Sequence, residues 1–87
     1  MKVHVPGPLR SYTKNKSEVD ASGTTVDELL RDLDRQFPGM RFRMIDEQDN
    51  PRQHIRLYVN ADAAELVTPV GVKDELQIIC AISGGAG

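Results

Sequence analysis

The stretch TVDELLRDLDRQF, residues 25–37, has the strongest structural pattern in the sequence. Its apolar residues recur after three, four, seven and eleven positions, which is the spacing of one face of an α-helix. Thr25 and Glu28 fit the capping box, in which a hydroxyl and a carboxylate accept hydrogen bonds from free N–H groups. Pro38-Gly39 then ends the pattern. The sequence predicts an amphipathic helix whose buried stripe is Val26, Leu29, Leu30, Leu33 and Phe37.

Before this helix, the chain predicts a hairpin of two short strands. Residues 2–5 alternate between polar and β-branched side chains, and Pro6-Gly7-Pro8 then interrupts the strand because proline lacks a backbone donor. Residues 17–21 resume the period of two after a polar, turn-prone stretch. We expect the second segment to fold back on the first.

After the helix, residues 40–52 predict an irregular connection with one short turn of helix at most, ending in the turn signal Asp49-Asn50-Pro51. Residues 55–59 alternate between apolar and polar side chains, which predicts a strand with one buried face. Asn60-Ala61-Asp62 predicts a turn, and Leu66-Val67 predicts a brief further pairing.

A final strand is predicted from about Leu76 to Ile82, with Gln77, Ile79 and Ala81 on the face opposite Leu76. The order of elements is hairpin, helix, link, strand, turn and strand, which predicts an α+β roll with a mixed sheet packed on one main helix. Because the helix is a crossover, we expect the first and last strands to lie side by side and parallel at the sheet centre.

The composition describes one folded domain of 87 residues, with 39% hydrophobic and 28% charged residues. Eleven Lys and Arg against thirteen Asp and Glu give a net charge of −2, which disfavours binding to nucleic acid or to an anionic membrane. No apolar run approaches the ~18 residues of a transmembrane helix, and no signal peptide is evident. We expect a cytoplasmic protein.

Few residues offer chemistry of their own. The lone Cys80 lies on the apolar face of a predicted strand and is interpreted as a small buried hydrophobe rather than a nucleophile paired with His4 or His54. Lys73-Asp74-Glu75 is interpreted as a turn former rather than an acid/base cluster. No spacing of metal ligands is found among the histidines, the cysteine and the loop acids Asp46, Glu47 and Asp49.

The C-terminus is the remaining candidate. Ser83-Gly84-Gly85 is no phosphate loop, because no Lys-Ser/Thr pair follows it. A run of glycines after a buried strand suits a backbone that enters a channel too narrow for a Cβ. At about 3.3 Å per extended residue, this run would carry a carboxylate about 10 Å beyond the strand. The competing interpretation is a frayed chain end without function.

Three segments together resemble the ThiS/MoaD family of ubiquitin-like sulfur carriers: residues 56–60 (RLYVN), residues 73–78 (KDELQI) and residues 81–85 (AISGG). Pro8-Leu9-Arg10, Tyr12-Thr13 and residues 21–25 (ASGTT) are most similar to its CysO-like, cysteine-synthesis branch. The resemblance implies a ubiquitin-like β-grasp domain over residues 1–82 and a flexible Gly-rich tail over residues 83–87. The sequence departs from the family pattern at Lys73, where glycine is usual, and in Ala86-Gly87 after the diglycine.

The resemblance implies a carrier and co-substrate rather than an enzyme, with Gly84 and Gly85 as the reacting end. A ubiquitin-activating-type (MoeB/ThiF-like) adenylyltransferase would use ATP to adenylate Gly85, and sulfur would then replace AMP to give a thiocarboxylate. The carrier itself would bind no cofactor and no metal. A pyridoxal-phosphate-dependent, cysteine synthase-like enzyme would accept the sulfur, and a JAMM-type metalloprotease would first remove Ala86-Gly87. The implied partner-binding residues are Ile79, Ala81, Arg56, Tyr58 and Ser83.

Four alternatives stay open at this point. The chain is also compatible with the small subunit of molybdopterin synthase, which delivers sulfur to a pterin precursor. It is compatible with a ubiquitin-like interaction module whose tail is inert, and with protein tagging through an isopeptide bond from Gly85. Finally, Gly87 instead of Gly85 is a possible functional end.

Overall fold

The helix predicted from the apolar spacing is present as α1, Val26–Gln36, in a computed structural model that describes residues 1–81. The Thr25 hydroxyl accepts a hydrogen bond from the Glu28 N–H at 3.2 Å, which confirms the N-cap. The Glu28 carboxylate differs from a standard capping box, because it accepts from the N–H and hydroxyl of Thr24 at 2.7 and 2.9 Å. The capping interactions therefore extend to Thr24, one residue before the predicted N-cap.

Five strands form one mixed sheet in the order β2-β1-β5-β3-β4. The strands are β1, Lys2–His4; β2, Glu18–Asp20; β3, Ile55–Val59; β4, Asp62–Ala63; and β5, Glu75–Cys80. Strand β1 pairs with β2 antiparallel, which confirms the hairpin. It also pairs with β5 in parallel, as predicted for the first and last strands, and β5 pairs antiparallel with β3 on its other side. The last strand in the chain, β5, is thus the central strand of the sheet.

The core lies between α1 and one face of the sheet. The alternation of β3 is confirmed, since Ile55, Leu57 and Val59 are buried and Arg56 is exposed. On β5, Leu76 and Ile78 are buried in the same layer. The apolar stripe of α1 covers this layer, and four of its predicted residues are fully buried: Val26, Leu29, Leu30 and Leu33.

A second helix, α2, Met40–Met44, follows the left-handed Gly39, whose φ is +93°. It is the short helical turn that the sequence allowed within residues 40–52. Met40 and Met44 are four residues apart on one face and are both fully buried, whereas Phe42 between them is 55% exposed. This helix packs beside α1 and continues the core toward the end of β5.

The pairing predicted at Leu66-Val67 is wrong. The strand that pairs with β3 is β4, which begins four residues earlier at Asp62, directly opposite Val59. The reason is the turn at Asn60 and Ala61, whose φ values of 51° and 76° are those of a type I′ hairpin, so the chain folds back after two residues. Leu66 packs against the core instead, and Val67 is 79% exposed.

The last strand begins at Glu75 and ends at Cys80, so its described length differs slightly from the predicted Leu76 to Ile82. The predicted boundary between the domain and the tail, after residue 82, lies outside the described residues. Over residues 1–81, no helix has both the length and the apolar character needed to cross a membrane.

Candidate functional site

The predicted reacting residues Gly84 and Gly85, together with Ser83, lie outside the described residues. The structure does describe the surroundings of the point where the chain leaves the sheet. There the N–H of Ala81 donates to the carbonyl of His54 at 2.7 Å, which extends the β3–β5 pairing by one residue. The C-terminal segment therefore begins at a fixed position at the end of the central strand.

Four predicted docking residues come together on the outward face of the sheet. In the pairing of β3 with β5, Ile79 stands opposite Arg56, and Tyr58 stands opposite Gln77. Ile79 is 41% exposed, Arg56 is exposed, and Tyr58 and Ala81 are half-buried. The structure thus brings these side chains together on one face formed by β3 and the end of the chain's described part, while their contact with a partner stays a prediction.

A groove lies at the end of β5, between α2 and the short 3₁₀ turn of Gly7–Leu9. We call it the end groove. Pro8, Leu9 and Phe42 provide its apolar lining, and Cys80 and Ala81 of the central strand form part of its wall. Its remaining lining residues are Arg43, Arg52 and His54, and none of the lining residues is acidic.

The arginines around the end of β5 bond to carbonyl groups and not to acids. Arg52 Nε donates to the carbonyl of Phe42 at 2.6 Å, and its guanidinium carbon lies 4.5 Å from the centre of the Phe42 ring. Arg56 Nη1 donates to the carbonyls of Gln53 and Ile55 at 2.8 and 3.0 Å. Neither these two arginines nor Arg43 forms an ion pair with any residue in the range 1–81.

Cys80 behaves as the sequence predicts. Its side chain is partly buried and packs against the core. Burial raises the pKa of the thiol, which lowers the fraction of reactive thiolate. His54 lines the same groove, but no hydrogen bond joins the two residues among those that the structure describes. The interpretation of Cys80 as a small hydrophobe is therefore confirmed by its packing.

The polar residues at the start of β5 form a closed network that we call the start clamp. Asp74 Oδ2 accepts the N–H of Gly71 at 2.7 Å, and Oδ1 accepts from Asn60 Nδ2 at 2.7 Å. Asn60 Oδ1 in turn accepts the N–H of Glu75 at 2.9 Å. The bond from the Gly71 N–H, and then that from Asn60, hold the pKa of Asp74 below its usual value. Asp74 is thus a turn former, as predicted, and its carboxylate is fully used in holding the turn.

Charged residues also meet on the outward face near this clamp. His4 Nε2 lies 2.6 Å from Glu75 Oε1, and His4 Nδ1 lies 3.6 Å from Glu18 Oε2. The hydrogen bond with His4 lowers the pKa of Glu75. Within residues 1–81, no group of three His, Cys, Asp or Glu side chains has an arrangement that could hold a metal ion. This part of the face is a local contact of His4 with two carboxylates.

Comparison with known proteins identifies the family. A sequence model of the ThiS family matches residues 3–85. The chain belongs to the ThiS family. The sulfur carrier protein CysO of Mycobacterium tuberculosis (strain H37Rv) is 29% identical over 89 residues, covering 95% of this chain and 96% of that protein. The resemblance found in residues 56–60, 73–78 and 81–85 is therefore confirmed.

Solved structures of similar proteins have the same fold. A chain in the crystal structure of the Amycolatopsis orientalis BexX/CysO complex is 31% identical, with a TM-score of 0.89 and coverage of 97% of this chain and 98% of that one. CysO from Mycobacterium tuberculosis gives 26% identity and a TM-score of 0.87, over 93% and 98% of the two chains. SAMP1 from Haloferax volcanii is 26% identical and has a TM-score of 0.77, with coverage of 97% of this chain and 97% of that one. The predicted ubiquitin-like β-grasp roll is thus the fold of this family member.

Two features of this site were missed by the sequence reasoning. Asn60 and Asp74 are both in segments that resemble the family, but nothing in their separation of fourteen positions indicates that they contact each other. Arg43 and Arg52 lie in the stretch predicted as an irregular connection, and no periodic pattern marks them as neighbours. Arg52 is brought beside α2 by hydrogen bonds from its backbone N–H to the Met44 carbonyl at 2.8 Å and from its Nε to the Phe42 carbonyl at 2.6 Å.

Proposed function

We propose that this chain is a sulfur carrier, whose C-terminal carboxyl group becomes a thiocarboxylate that donates sulfur in the synthesis of cysteine or a related sulfur metabolite. The observation that carries the proposal is the ThiS-family match over residues 3–85, which includes Gly84 and Gly85. The match ends at Gly85, which favours this residue over Gly87 as the functional end. Similarity to CysO along 95% of the chain supports the cysteine branch.

The chemistry of activation follows from the weak electrophilicity of a carboxylate. The Gly85 carboxylate attacks the α-phosphorus of ATP, pyrophosphate leaves, and an acyl-adenylate forms on the partner enzyme. Sulfide, or the terminal sulfur of a donor persulfide later released by a thiol, then displaces AMP. The product is a thiocarboxylate whose sulfur is a nucleophile. In this scheme Gly84 and Gly85 pass through the enzyme's channel, because a residue without a Cβ fits where others do not.

Three partners follow from this proposal. A ubiquitin-activating-type adenylyltransferase uses ATP, which is its substrate and not a cofactor of the carrier. A pyridoxal-phosphate-dependent synthase accepts the sulfur, and a JAMM-type metalloprotease removes Ala86-Gly87. All three work on the C-terminal segment in the cytoplasm. The carrier docks through the outward face at Ile79, Ala81, Arg56 and Tyr58, with Ser83 next to them in the chain.

Intact mass spectrometry of the protein purified from its source tests the proposal. We expect the loss of Ala86-Gly87 and then the mass gain of one oxygen replaced by sulfur. An unmodified, full-length chain under sulfur-assimilating conditions would instead support an inert interaction module. Deletion of Gly84-Gly85 should abolish the modification and leave the circular dichroism spectrum unchanged, whereas loss of the folded spectrum would show that these glycines are structural.

A Cys80 variant is the control that shows whether sulfur is added to the C-terminal carboxyl group or to the thiol. Cys80→Ser should still acquire the sulfur, because the partly buried thiol takes no part in the proposed chemistry. A folded Cys80→Ser protein that no longer gains sulfur would move the reacting group from the C-terminus to the thiol.

Protein tagging is the second candidate, and the similarity to Haloferax volcanii SAMP1 favours it, since SAMP1 is a small archaeal modifier protein. Tagging uses the same adenylate with a lysine amine as acceptor. Digestion of cell extracts followed by mass spectrometry would then show Gly85 joined to lysine side chains of other proteins.

A further inference from the structure

The end groove is positively charged in a chain whose net charge is negative. Arg43, Arg52 and His54 line it without an acidic neighbour in the lining. The chain nevertheless has thirteen acidic residues against eleven Lys and Arg. Acids are therefore plentiful in the molecule but absent from the lining of this groove; the charge of Arg52 acts on Asp46, whose pKa it helps to lower, but the two side chains form no ion pair.

The arginines of α1 and its surroundings are arranged differently. Arg31 and Arg41 both bond to Asp27 at 2.8 Å, and Arg35 pairs with Asp32. Burial raises the pKa of Asp27, but the hydrogen bonds from Arg31 and Arg41 outweigh it and lower the pKa overall. The arginines on this side are thus directly paired with carboxylates of the chain, whereas Arg43 and Arg52 of the end groove form no ion pair within residues 1–81.

The end groove is also preorganised to receive a carboxylate. The bond from Arg52 Nε to the Phe42 carbonyl and the stacking on the Phe42 ring hold the guanidinium in place. Neither terminal nitrogen of Arg52 has a hydrogen-bond partner among residues 1–81. A planar guanidinium with a free edge is suited to bind a carboxylate through two parallel hydrogen bonds. Phe42, which is 55% exposed, offers an apolar contact next to it.

The position of the groove indicates which partner covers it. Ala81 is part of its wall, and Gly85 is four residues further along the chain, at most about 14 Å away when fully extended. An enzyme that holds Gly85 in its active site must therefore come within about this distance of the groove wall. We propose that the adenylyltransferase docks an acidic segment in the end groove, with carboxylates on Arg43 and Arg52 and an apolar side chain on Phe42. This inference rests on the proposed function.

Kinetics of adenylation test the docking site. The assay is ATP–pyrophosphate exchange by the adenylyltransferase of the same organism, with the carrier freed of Ala86-Gly87 as the varied substrate. The groove variant Arg43→Gln/Arg52→Gln should raise KM for the carrier about tenfold and leave kcat unchanged, because it removes charges that bind but do not react. The matched control Arg31→Gln/Arg35→Gln removes two exposed arginines of α1 and should change KM less than about twofold.

Two further measurements separate binding from folding. Arg43→Lys/Arg52→Lys keeps the charge and should recover part of the affinity, and added salt should raise KM of the wild type more than that of the groove variant. If Arg52→Gln unfolds the domain, the single variant Arg43→Gln carries the test, since Arg43 makes no ion pair within residues 1–81.

The possible failures are distinct. If the enzyme does not catalyse exchange with the carrier that ends at Gly85, the proposed function is wrong and the docking proposal falls with it. If exchange is normal and the groove and helix variants have equal KM values, the docking proposal alone is overturned.

Discussion

The two ends of the central strand β5 differ in how their polar groups are satisfied. At its start, the start clamp matches each oxygen of Asp74 and Asn60 with a donor from the same chain. At its end, Arg43 and Arg52 line a groove without an acidic residue. Internal matching is what stability requires. An arginine without a carboxylate partner in the chain gains no ion-pair stabilisation from folding. We therefore expect the polar groups at the start of β5 to contribute to stability and the arginines at its end to contribute to binding.

The largest effect on the free energy of unfolding is expected in the hydrophobic core, at the first buried residue of β5. Leu76 is fully buried against α1, so Leu76→Ala should lower the free energy of unfolding by about 2–5 kcal/mol through the cavity that it leaves. Chemical denaturation measures this. Val72→Ala is the control, because Val72 is 90% exposed, and it should change the free energy of unfolding by less than about 0.5 kcal/mol.

A smaller loss of unfolding free energy is expected from changes at the start of β5. Asn60→Ala removes the hydrogen bonds to Asp74 and Glu75 and places alanine at a φ of 51°, so it should cost about 1–2 kcal/mol of unfolding free energy. Asn60→Gly loses the same side-chain bonds but tolerates the backbone angle, and it should cost less than Asn60→Ala. Wild-type stability in both variants would show that the start clamp does not stabilise the fold.

Protonation of Asp74 at low pH should reduce the stability that the start clamp provides. Because hydrogen bonds lower the folded-state pKa of Asp74, its stabilising contribution is complete above its unfolded pKa of about 3.9 and is lost as the pH falls through the folded value. Asp74→Asn, with no charge to lose, should therefore show a smaller fall in unfolding free energy than the wild type between pH 7 and about pH 3. Equal falls in the two proteins would contradict the role given to this carboxylate.

The smallest effect on stability is expected at the end of the strand. Arg43 is exposed, so Arg43→Gln should change the free energy of unfolding by less than about 0.5 kcal/mol. Thermal unfolding of this variant beside Asn60→Ala compares the two ends directly. A larger loss in Arg43→Gln than in Asn60→Ala would reverse the division between a folding end and a binding end.

The sequence predicts those parts of the fold in which local periodicity and burial agree. The spacing of Leu29, Leu30 and Leu33 gives α1, and the alternation around Leu57 and Ile78 gives the buried faces of β3 and β5. These elements each bury one regular face, so the pattern of side chains directly records the structure. The crossover then makes the first and last strands neighbours, which the parallel pairing confirms.

The failures lie where contacts between distant segments decide the structure. Leu66 packs on the core from a loop. A local pattern shows only that the residue is apolar, so it cannot distinguish such a loop residue from a residue of a strand. The contact of Asn60 with Asp74 depends on the register of two strands, and the grouping of Arg43 with Arg52 depends on the hydrogen bonds from Arg52 to carbonyls of α2. Alternation predicted which side chains of β3 and β5 face outward, and the docking role that the resemblance implies for them stays a prediction, but the groove beside them required the tertiary structure.

The central place of β5 has a mechanical consequence. This strand forms five residue pairs with β3 on one side and three with β1 on the other. A force that draws the chain outward past Ala81 acts along the strand axis and loads both sets of hydrogen bonds in shear, so that they resist together. An edge strand such as β4, which has two residue pairs on one side only, would resist the same force with fewer hydrogen bonds. The domain can therefore sustain traction on its end while another protein handles the segment beyond it.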